Sequence, residues 1–290
     1  MTENPGRPSD IRRLFQLEAI GEDRFRAMDL EANPSARVYG GQVMAQALYS
    51  ALRTTPSGRQ VTTLQAVFGP GTRPELPVEF HVTRMQDGKR FSTRQVRVVQ
   101  SDRTCLIANV TCQVPQDGPA HQRSDHARVP DPENLIDLRE LPEPFHRRVS
   151  RINYFPKHSH SLEARAVDPE RDILEGVRPE DTFRLWLRAR NGFSTEDRSQ
   201  QFAVLTYLAD YWTAYVAIGS HVPPEGERIN TATLNHAMWF HAPYDPMEWL
   251  LVVSETPCVG GGRGLSWSRL YDRKGILIAT VAQDVLVAPE

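Results

Sequence analysis

Between Gln201 and Ile218 the chain reads QFAVLTYLADYWTAYVAI, an eighteen-residue run whose one charged side chain is Asp210. A surface helix carries charges along its outer face, so a run without them predicts a helix enclosed on most sides. The helical neighbours of Asp210 three and four residues away, Thr206, Tyr207, Thr213 and Ala214, offer a carboxylate little compensation for lost water. Burying a carboxylate is costly without partners, which makes Asp210 the candidate centre of a site; a hydrogen bond from helix to loop or a solvent-facing notch is the alternative reading. Chemically, a carboxylate so placed can take a proton from a water or a substrate.

Gln283 is the second candidate. In the strand expected over 276–287 it shares its period-two face with Val281, Val285 and Val287, and a polar amide on an apolar face calls for a specific partner. Its two donors and one acceptor suit the holding of a water. Thr233 lies on a mixed face with Thr231, Asn235 and Ala237, so pattern alone leaves it an ordinary strand threonine. His236 and His241 are five apart on one strand and project to opposite faces, which favours packing or hydrogen bonding over a shared metal ion. His158 and His160 share a face but have no further ligands nearby. Gly260-Gly-Gly-Arg-Gly264 lacks the lysine and the following helix of a phosphate loop and reads as a hairpin turn. No serine sits in a Gly-x-Ser-x-Gly elbow, which argues against an acyl-enzyme route.

With 290 residues, 40% hydrophobic and 24% charged, the chain has the composition of a globular protein with one large or two medium cores. A net charge of -2 gives no electrostatic footprint for nucleic acid. Cys105, Cys112 and Cys258 are odd in number and form no CxxC pair, which fits free thiols in a reducing compartment. The segment MTENPGRPSDIRR lacks an apolar core, and no stretch reaches the roughly 18 apolar residues of a membrane span, so a cytoplasmic protein is expected.

The elements that must position these residues follow from punctuation and period. Residues 1–10 read as disordered; 14–28 read as a hairpin turning at Gly21-Glu22-Asp23. Gly40-Gly41 precede a helix over 42–53, and strands are expected over 61–68, 77–84, 90–100 and 104–114, broken at turn-forming residues. Residues 115–156 hold seven prolines and little periodicity, so they read as a connector with one short helix. Strands at LEARAV and FRLWLRA, the helix bearing Asp210, and strands over 230–241, 249–256, 264–271 and 276–287 complete the chain.

Helix and four-strand meander thus occur twice. Thr63-Leu64 through Phe68-Gly69-Pro70 echoes Thr233-Leu234 through Phe240-His241-Ala242-Pro243, and CLIANVTC at 105–112 echoes ILIATVAQ at 276–283. An antiparallel sheet curled around an apolar helix is the hot-dog fold. Two fused copies predict an α+β double hot-dog, paired edge to edge so that neither strand edge is exposed. The expected division is a first repeat over 11–116, a connector over 117–158, and a second repeat over 159–290 carrying the site.

Five segments in order, Tyr39-Gly-Gly-Gln-Val-Met-Ala-Gln-Ala-Leu48, Asp87-Gly-Lys-Arg-Phe-Ser-Thr-Arg94, Tyr207-Leu-Ala-Asp210, Ala232-Thr-Leu-Asn-His-Ala-Met-Trp-Phe-His241 and Ile278-Ala-Thr-Val-Ala-Gln283, resemble the type II acyl-CoA thioesterases. The resemblance implies a double hot-dog that hydrolyses fatty acyl-CoA with a water held between an aspartate, a threonine and a glutamine, at positions that fall on Asp210, Thr233 and Gln283. It implies no cofactor, an acyl-CoA substrate and a homo-oligomer. Three departures bear on substrate preference: Asn235 where many relatives carry aspartate, Gln65 where the first repeat usually has histidine, and Gly69-Pro-Gly71 for the usual Arg-Pro-Gly.

The expected chemistry is therefore direct hydrolysis, with Asp210 as base, Thr233 and Gln283 orienting the water, and backbone N–H groups at a helix start as oxyanion donors. A hot-dog hydratase or dehydratase and a non-catalytic acyl-CoA binding protein are the alternatives. Overlaying Ala45-Gln46 on Ala209-Asp210 puts Gln46 at the base position of the first repeat, with Cys112 or Gln113 opposite Gln283, so one working site per chain is expected.

Overall fold

The computed structural model describes residues 11–33, 35–123, 129–152, 154, 161–178, 182–190 and 196–290. The readings of residues 1–10 and of His158 and His160 lie outside these. In chain order the elements are β1 (Leu17–Gly21), β2 (Arg24–Ala27), α1 (Gly40–Arg53), β3 (Gln60–Phe68), β4 (Glu79–Asp87), β5 (Phe91–Gln100) and β6 (Arg103–Gln113) in the first half. After α2 (Glu143–Ser150) come β7 (Leu162–Ala166), β8 (Phe183–Ala189), α3 (Arg198–Ala209), α4 (Tyr215–Ile218), β9 (Ile229–Phe240), β10 (Leu250–Gly260), β11 (Arg263–Tyr271) and β12 (Leu277–Pro289). Each half holds a short strand pair, a helix and a four-strand meander, so the repeat is longer than its meander alone: β2 adds to β4 and β8 adds to β10.

The twelve strands among the described residues form one antiparallel sheet in the order β1-β2-β4-β5-β6-β3-β9-β12-β11-β10-β8-β7. The β3–β9 pairing joins the halves and removes the two edges that separate copies would expose. The sheet's inner face wraps α1 and α3, which pack on each other, and Met44 and Leu48 of the one helix and Leu205 and Leu208 of the other are fully buried. This is the double hot-dog arrangement. In the connector, residues 129–142 form 3-10 turns at Pro132–Asn134 and Leu138–Glu140 before α2 and lie on the outer face of the second half. There the Trp186 indole donates to the Pro130 carbonyl at 3.1 Å, and Val129 and Leu135 close a small second core of Trp186, Trp249, Leu251, Val253 and Tyr271.

The run 201–218 is not one helix. α3 ends at Ala209, Asp210 is its C-cap, and Trp212 adopts a left-handed φ of 62° before the single turn of α4. That conformation costs a bulky residue about 1–3 kcal/mol. Burial of the Trp212 ring, whose centroid lies 4.7 Å from Tyr215, 5.0 Å from Tyr154 and 6.0 Å from Phe183, offsets it.

A bulge decides which residues of β9 face inward. Asp284 of β12 pairs with Asn235, but Val285 pairs with Thr233, so Leu234 is an extra residue. The face therefore switches: Thr233 does not share one with Asn235 and Ala237, as strict alternation predicts, but with His236 and Met238. β3 has the matching bulge at Thr62, since Cys112 pairs with Val61 and Thr111 with Thr63. Superposing the two bulges sets Val61 against Thr233, Leu64 against His236 and Val110 against Gln283. The C-cap of α1, Thr54, corresponds to Asp210. This replaces the overlay that put Gln46 and Cys112 or Gln113 at the site positions. Gln46 lies in mid-helix, where its amide donates to the Leu14 carbonyl at 2.6 Å.

Candidate active site

Asp210 reaches the site because α3 stops there, pointing the side chain past the helix end. A carboxylate at a helix C-terminus faces the negative end of the macrodipole, so its donors must come from other elements. Gln283 of β12 supplies one: its Nε2 donates to Asp210 Oδ1 at 2.9 Å and to Thr233 Oγ1 at 2.6 Å. The Thr233 hydroxyl in turn lies 3.5 Å from the same Oδ1. The opposite side of the amide is fixed by Thr213, whose hydroxyl donates to Gln283 Oε1 at 2.7 Å. Asp210 Oδ1 can only accept, so the N–H side of the amide must face it, and the Thr213 hydroxyl, which can donate or accept, donates to the carbonyl side that remains. Gln283 and Thr213 are buried, and the Asp210 side chain is only 5% exposed.

The first turn of α1 approaches from the other half of the chain. A Cβ on Gly40 would lie 3.2 Å from Asp210 Oδ2 and 3.3 Å from the Phe68 ring, so a side chain there would press on the carboxylate and the ring, and glycine lets the helix start this close without displacing either. Gly41 is required for a different reason: a Cβ would meet the Tyr39 ring at 2.6 Å. The Tyr39 hydroxyl donates to the Tyr207 carbonyl at 3.1 Å and the two rings meet edge to face, which fixes the entry of the helix. The N–H groups of Gly40 and Gly41 precede the intrahelical ladder and sit at the positive end of the dipole. Burial pushes the Tyr39 and Tyr154 phenols up in pKa, and the charge of Asp210 adds to both shifts. Both therefore remain neutral beside it.

These groups open onto a cavity of about 530 Å³. Its walls are the start of α1, the Gly69–Thr72 loop, the Tyr211–Ala214 turn and the first half of β9. Asp210, Thr233 and Gln283 all line it. Among the described residues, Arg37 is the one lysine or arginine in its wall and no histidine lines it. Glu31 lies in the same wall and accepts from the Tyr207 hydroxyl at 2.8 Å.

The three residues singled out from the sequence thus converge. Thr213 and Gly40 were not singled out: Thr213 is three residues from Asp210, but its contact with Gln283 depends on the turn after α3. His236 is buried and His241 is not, as strand alternation predicts; His241 meets Thr280 Oγ1 at 2.9 Å. His236, however, does more than pack against apolar neighbours, because its Nδ1 lies 3.6 Å from Asp210 Oδ1. Gly261 and Gly262 form the β10–β11 turn, with φ of 60° and 76°. Cys105 and Cys112 are buried free thiols, whereas Cys258 is exposed. Of the departures from the family pattern, Asn235 and Gln65 face outward on the sheet, and only the Gly69–Gly71 segment lines the cavity.

Comparison with known proteins gives the same family in both halves. A family model described as the acyl-CoA thioesterase N-terminal domain matches residues 29–113, and one described as the acyl-CoA thioesterase C-terminal domain matches residues 124–287. Acyl-coenzyme A thioesterase 8 of Mus musculus is 31% identical over 289 residues, covering 96% of this chain and 88% of that protein. Acyl-CoA thioesterase 2 of Haemophilus influenzae is 28% identical over 289 residues, covering 96% and 97%. The crystal structure of the acyl-CoA thioesterase II TesB2 of Mycobacterium marinum superposes with a TM-score of 0.78 at 27% identity, covering 97% of each chain. A hot-dog protein of unknown function from Alicyclobacillus acidocaldarius superposes with a TM-score of 0.73 at 17% identity, covering 95% of this chain and 96% of its own, and so shares the fold. With both halves matched in order and nearly the whole chain aligned, the chain belongs to the type II acyl-CoA thioesterase family.

Proposed function

We propose that this chain hydrolyses acyl-CoA thioesters by direct attack of water, with Asp210 as base and Thr233 and Gln283 holding the nucleophile. The observation that carries the reading is the Gln283 amide, which bridges Asp210 Oδ1 and Thr233 Oγ1 at the cavity wall. A water bound beside these three groups has a proton acceptor in Asp210 Oδ2, the oxygen turned toward the start of α1.

As the water oxygen attacks the thioester carbon, its proton passes to Asp210 Oδ2 and the carbonyl oxygen becomes an oxyanion. The N–H groups of Gly40 and Gly41 are the proposed donors to that oxyanion, since the start of α1 lines the cavity and lies beside Asp210 Oδ2. Collapse of the tetrahedral intermediate breaks the carbon–sulfur bond. The proton held on Asp210 moves to the departing thiolate, giving free CoA thiol and a carboxylic acid that ionises in solvent. No acyl-enzyme forms.

A hot-dog hydratase, moving protons at carbon through a histidine, is the reading to test against. Among the described residues no histidine lines the cavity, which favours hydrolysis. Incubation with saturated and enoyl thioesters of several chain lengths, following thiol release and double-bond absorbance together, separates the two: thiol from saturated substrates supports hydrolysis, and an absorbance change without thiol overturns it.

The proposal extends to a reducing, cytoplasmic setting, supported by the free thiols of Cys105 and Cys112, and to a homo-oligomer, supported by the exposed Val67, Ile107, Trp239 and Trp267 on the outer sheet face. No helix among the described residues is long and apolar enough to cross a membrane. The division into a first repeat over 11–116, a connector over 117–158 and a second repeat over 159–290 assigns the three water-holding side chains to the second repeat and one wall of their cavity to the first.

A further inference from the structure

β9 carries a second buried polar side chain three residues beyond Thr233. In an unbroken strand residues three apart point to opposite faces, but the extra residue at Leu234 cancels that alternation and turns both inward. His236 then sits directly opposite Gln283 in the β9–β12 ladder, with its side chain fully buried. Its Nδ1 is 3.6 Å from Asp210 Oδ1, and neither ring nitrogen has a hydrogen-bond partner among the described residues. The equivalent position in the first repeat holds Leu64, so the fold itself is served there by an apolar side chain of similar size.

A buried imidazole whose nitrogens are idle is unusual, because buried polar groups are nearly always partnered. Here the nearest acceptor is the carboxylate proposed as the base, one short displacement away. Asp210 lies where the regular helix has ended, and hydrogen bonds among catalytic groups are often long without substrate and tighten when it binds.

We propose that His236 is a positioning residue for Asp210: in the substrate-bound enzyme its Nδ1–H donates to Asp210 Oδ1. That oxygen then has three donors, from Gln283, Thr233 and His236, and the carboxylate is held with Oδ2 toward the water. A ring nitrogen carrying a lone pair instead of a proton would repel Oδ1, so the tautomer with hydrogen on Nδ1 is the one that fits. His236 lies behind Asp210 and does not line the cavity, so it acts through the carboxylate and not on the substrate. This inference rests on the hydrolytic reading of the site.

The test uses the full chain and steady-state thiol release from a saturated acyl-CoA. His236→Leu, which installs the residue of the first repeat, should lower kcat by about tenfold or more while KM changes by less than about threefold. His236→Asn, which restores an N–H close to the position of Nδ1–H, should recover part of that loss, and His236→Gln, whose donor lies farther out, should recover less. In an Asp210→Asn background His236→Leu should cost nothing further, because the group it positions is no longer a base. A kcat for His236→Leu within about threefold of wild type overturns the proposal, as does an Asn variant no faster than the Gln variant, a comparison that stands even where the leucine variant does not fold. A wild-type chain that releases no thiol overturns the hydrolytic reading itself, so the two failures are distinct.

Discussion

Gly40 and Asp210 come from different halves of the chain, yet no side chain separates them: a Cβ on Gly40 would lie 3.2 Å from Asp210 Oδ2. The start of one repeat's helix thus meets the end of the other's. Gly40→Ala should push on the carboxylate and the Phe68 ring, lowering kcat by about tenfold or more with a small change in melting temperature. Gly41→Ala, whose Cβ would strike the Tyr39 ring at 2.6 Å, should instead destabilise the fold. Equal effects of the two substitutions on kcat and on melting temperature would contradict this division.

Asp210→Asn keeps the shape of the side chain and removes the basic oxygen, so turnover should fall by about 100-fold or more while the protein still binds acyl-CoA. The same variant tests whether one site works per chain. In the first repeat the positions of Asp210, Thr233, His236 and Gln283 hold Thr54, Val61, Leu64 and Val110. The cavity at the corresponding place, about 270 Å³ and lined by Thr62, Gln113, Phe202 and Phe240–Pro243 among others, has no carboxylate in its wall among the described residues. Two equivalent independent sites would leave about half of the activity in Asp210→Asn, and that result would refute the asymmetry.

Gln283→Ala removes the donor shared by Asp210 and Thr233, and turnover should drop by about 100-fold. Thr213→Val leaves the amide in place but takes away the hydroxyl that donates to its carbonyl side, so a smaller loss, about tenfold, is expected. Leaving the buried Gln283 oxygen without its donor also costs about 1–3 kcal/mol, read as a lower melting temperature. A Thr213→Val variant with full activity and lowered stability would confine Thr213 to a structural role.

Arg37 is the cation in the cavity wall, and coenzyme A carries phosphates at the end remote from its thioester. Arg37→Ala should raise KM for acyl-CoA by about tenfold while leaving kcat/KM for an acyl thioester of N-acetylcysteamine, which has no phosphate, within about twofold. An equal loss on both substrates would show that Arg37 acts on the site's shape and not on the nucleotide.

Glu79 ties β2 to β4 and should govern part of the acid stability. Hydrogen bonds from His81, Arg26 and Arg24 hold its carboxyl down at about 2, against burial, which acts the other way. A folded-state pKa below the unfolded one gives stability that is present above the unfolded value, near 4.5, and is lost as pH falls toward 2. Glu79→Gln should flatten the fall of melting temperature between pH 4.5 and 2 and change nothing in the shape of the curve above that window. An unchanged slope would show that the carboxyl is not linked to folding.

The sequence by itself determined the repeat, the strands and the family. Alternating side chains, turn residues such as Asp87-Gly88 and the charge-poor run around Asp210 report local preferences and burial, and both are written in residue order. It also marked Asp210 and Gln283, because a polar group on an apolar face is visible without coordinates. What only the tertiary structure decided is where the periods break. The end of α3 at Ala209 depends on a cage of rings around Trp212 drawn from β8 and the connector, and no pattern within 201–218 records it. The bulge at Leu234 likewise depends on the register against β12, a partner more than forty residues away. Those two irregularities aim Asp210, Thr233 and His236 at one point. Regular helix and strand periods would have sent them to different faces, and contact between the halves, through Gly40, closes the site.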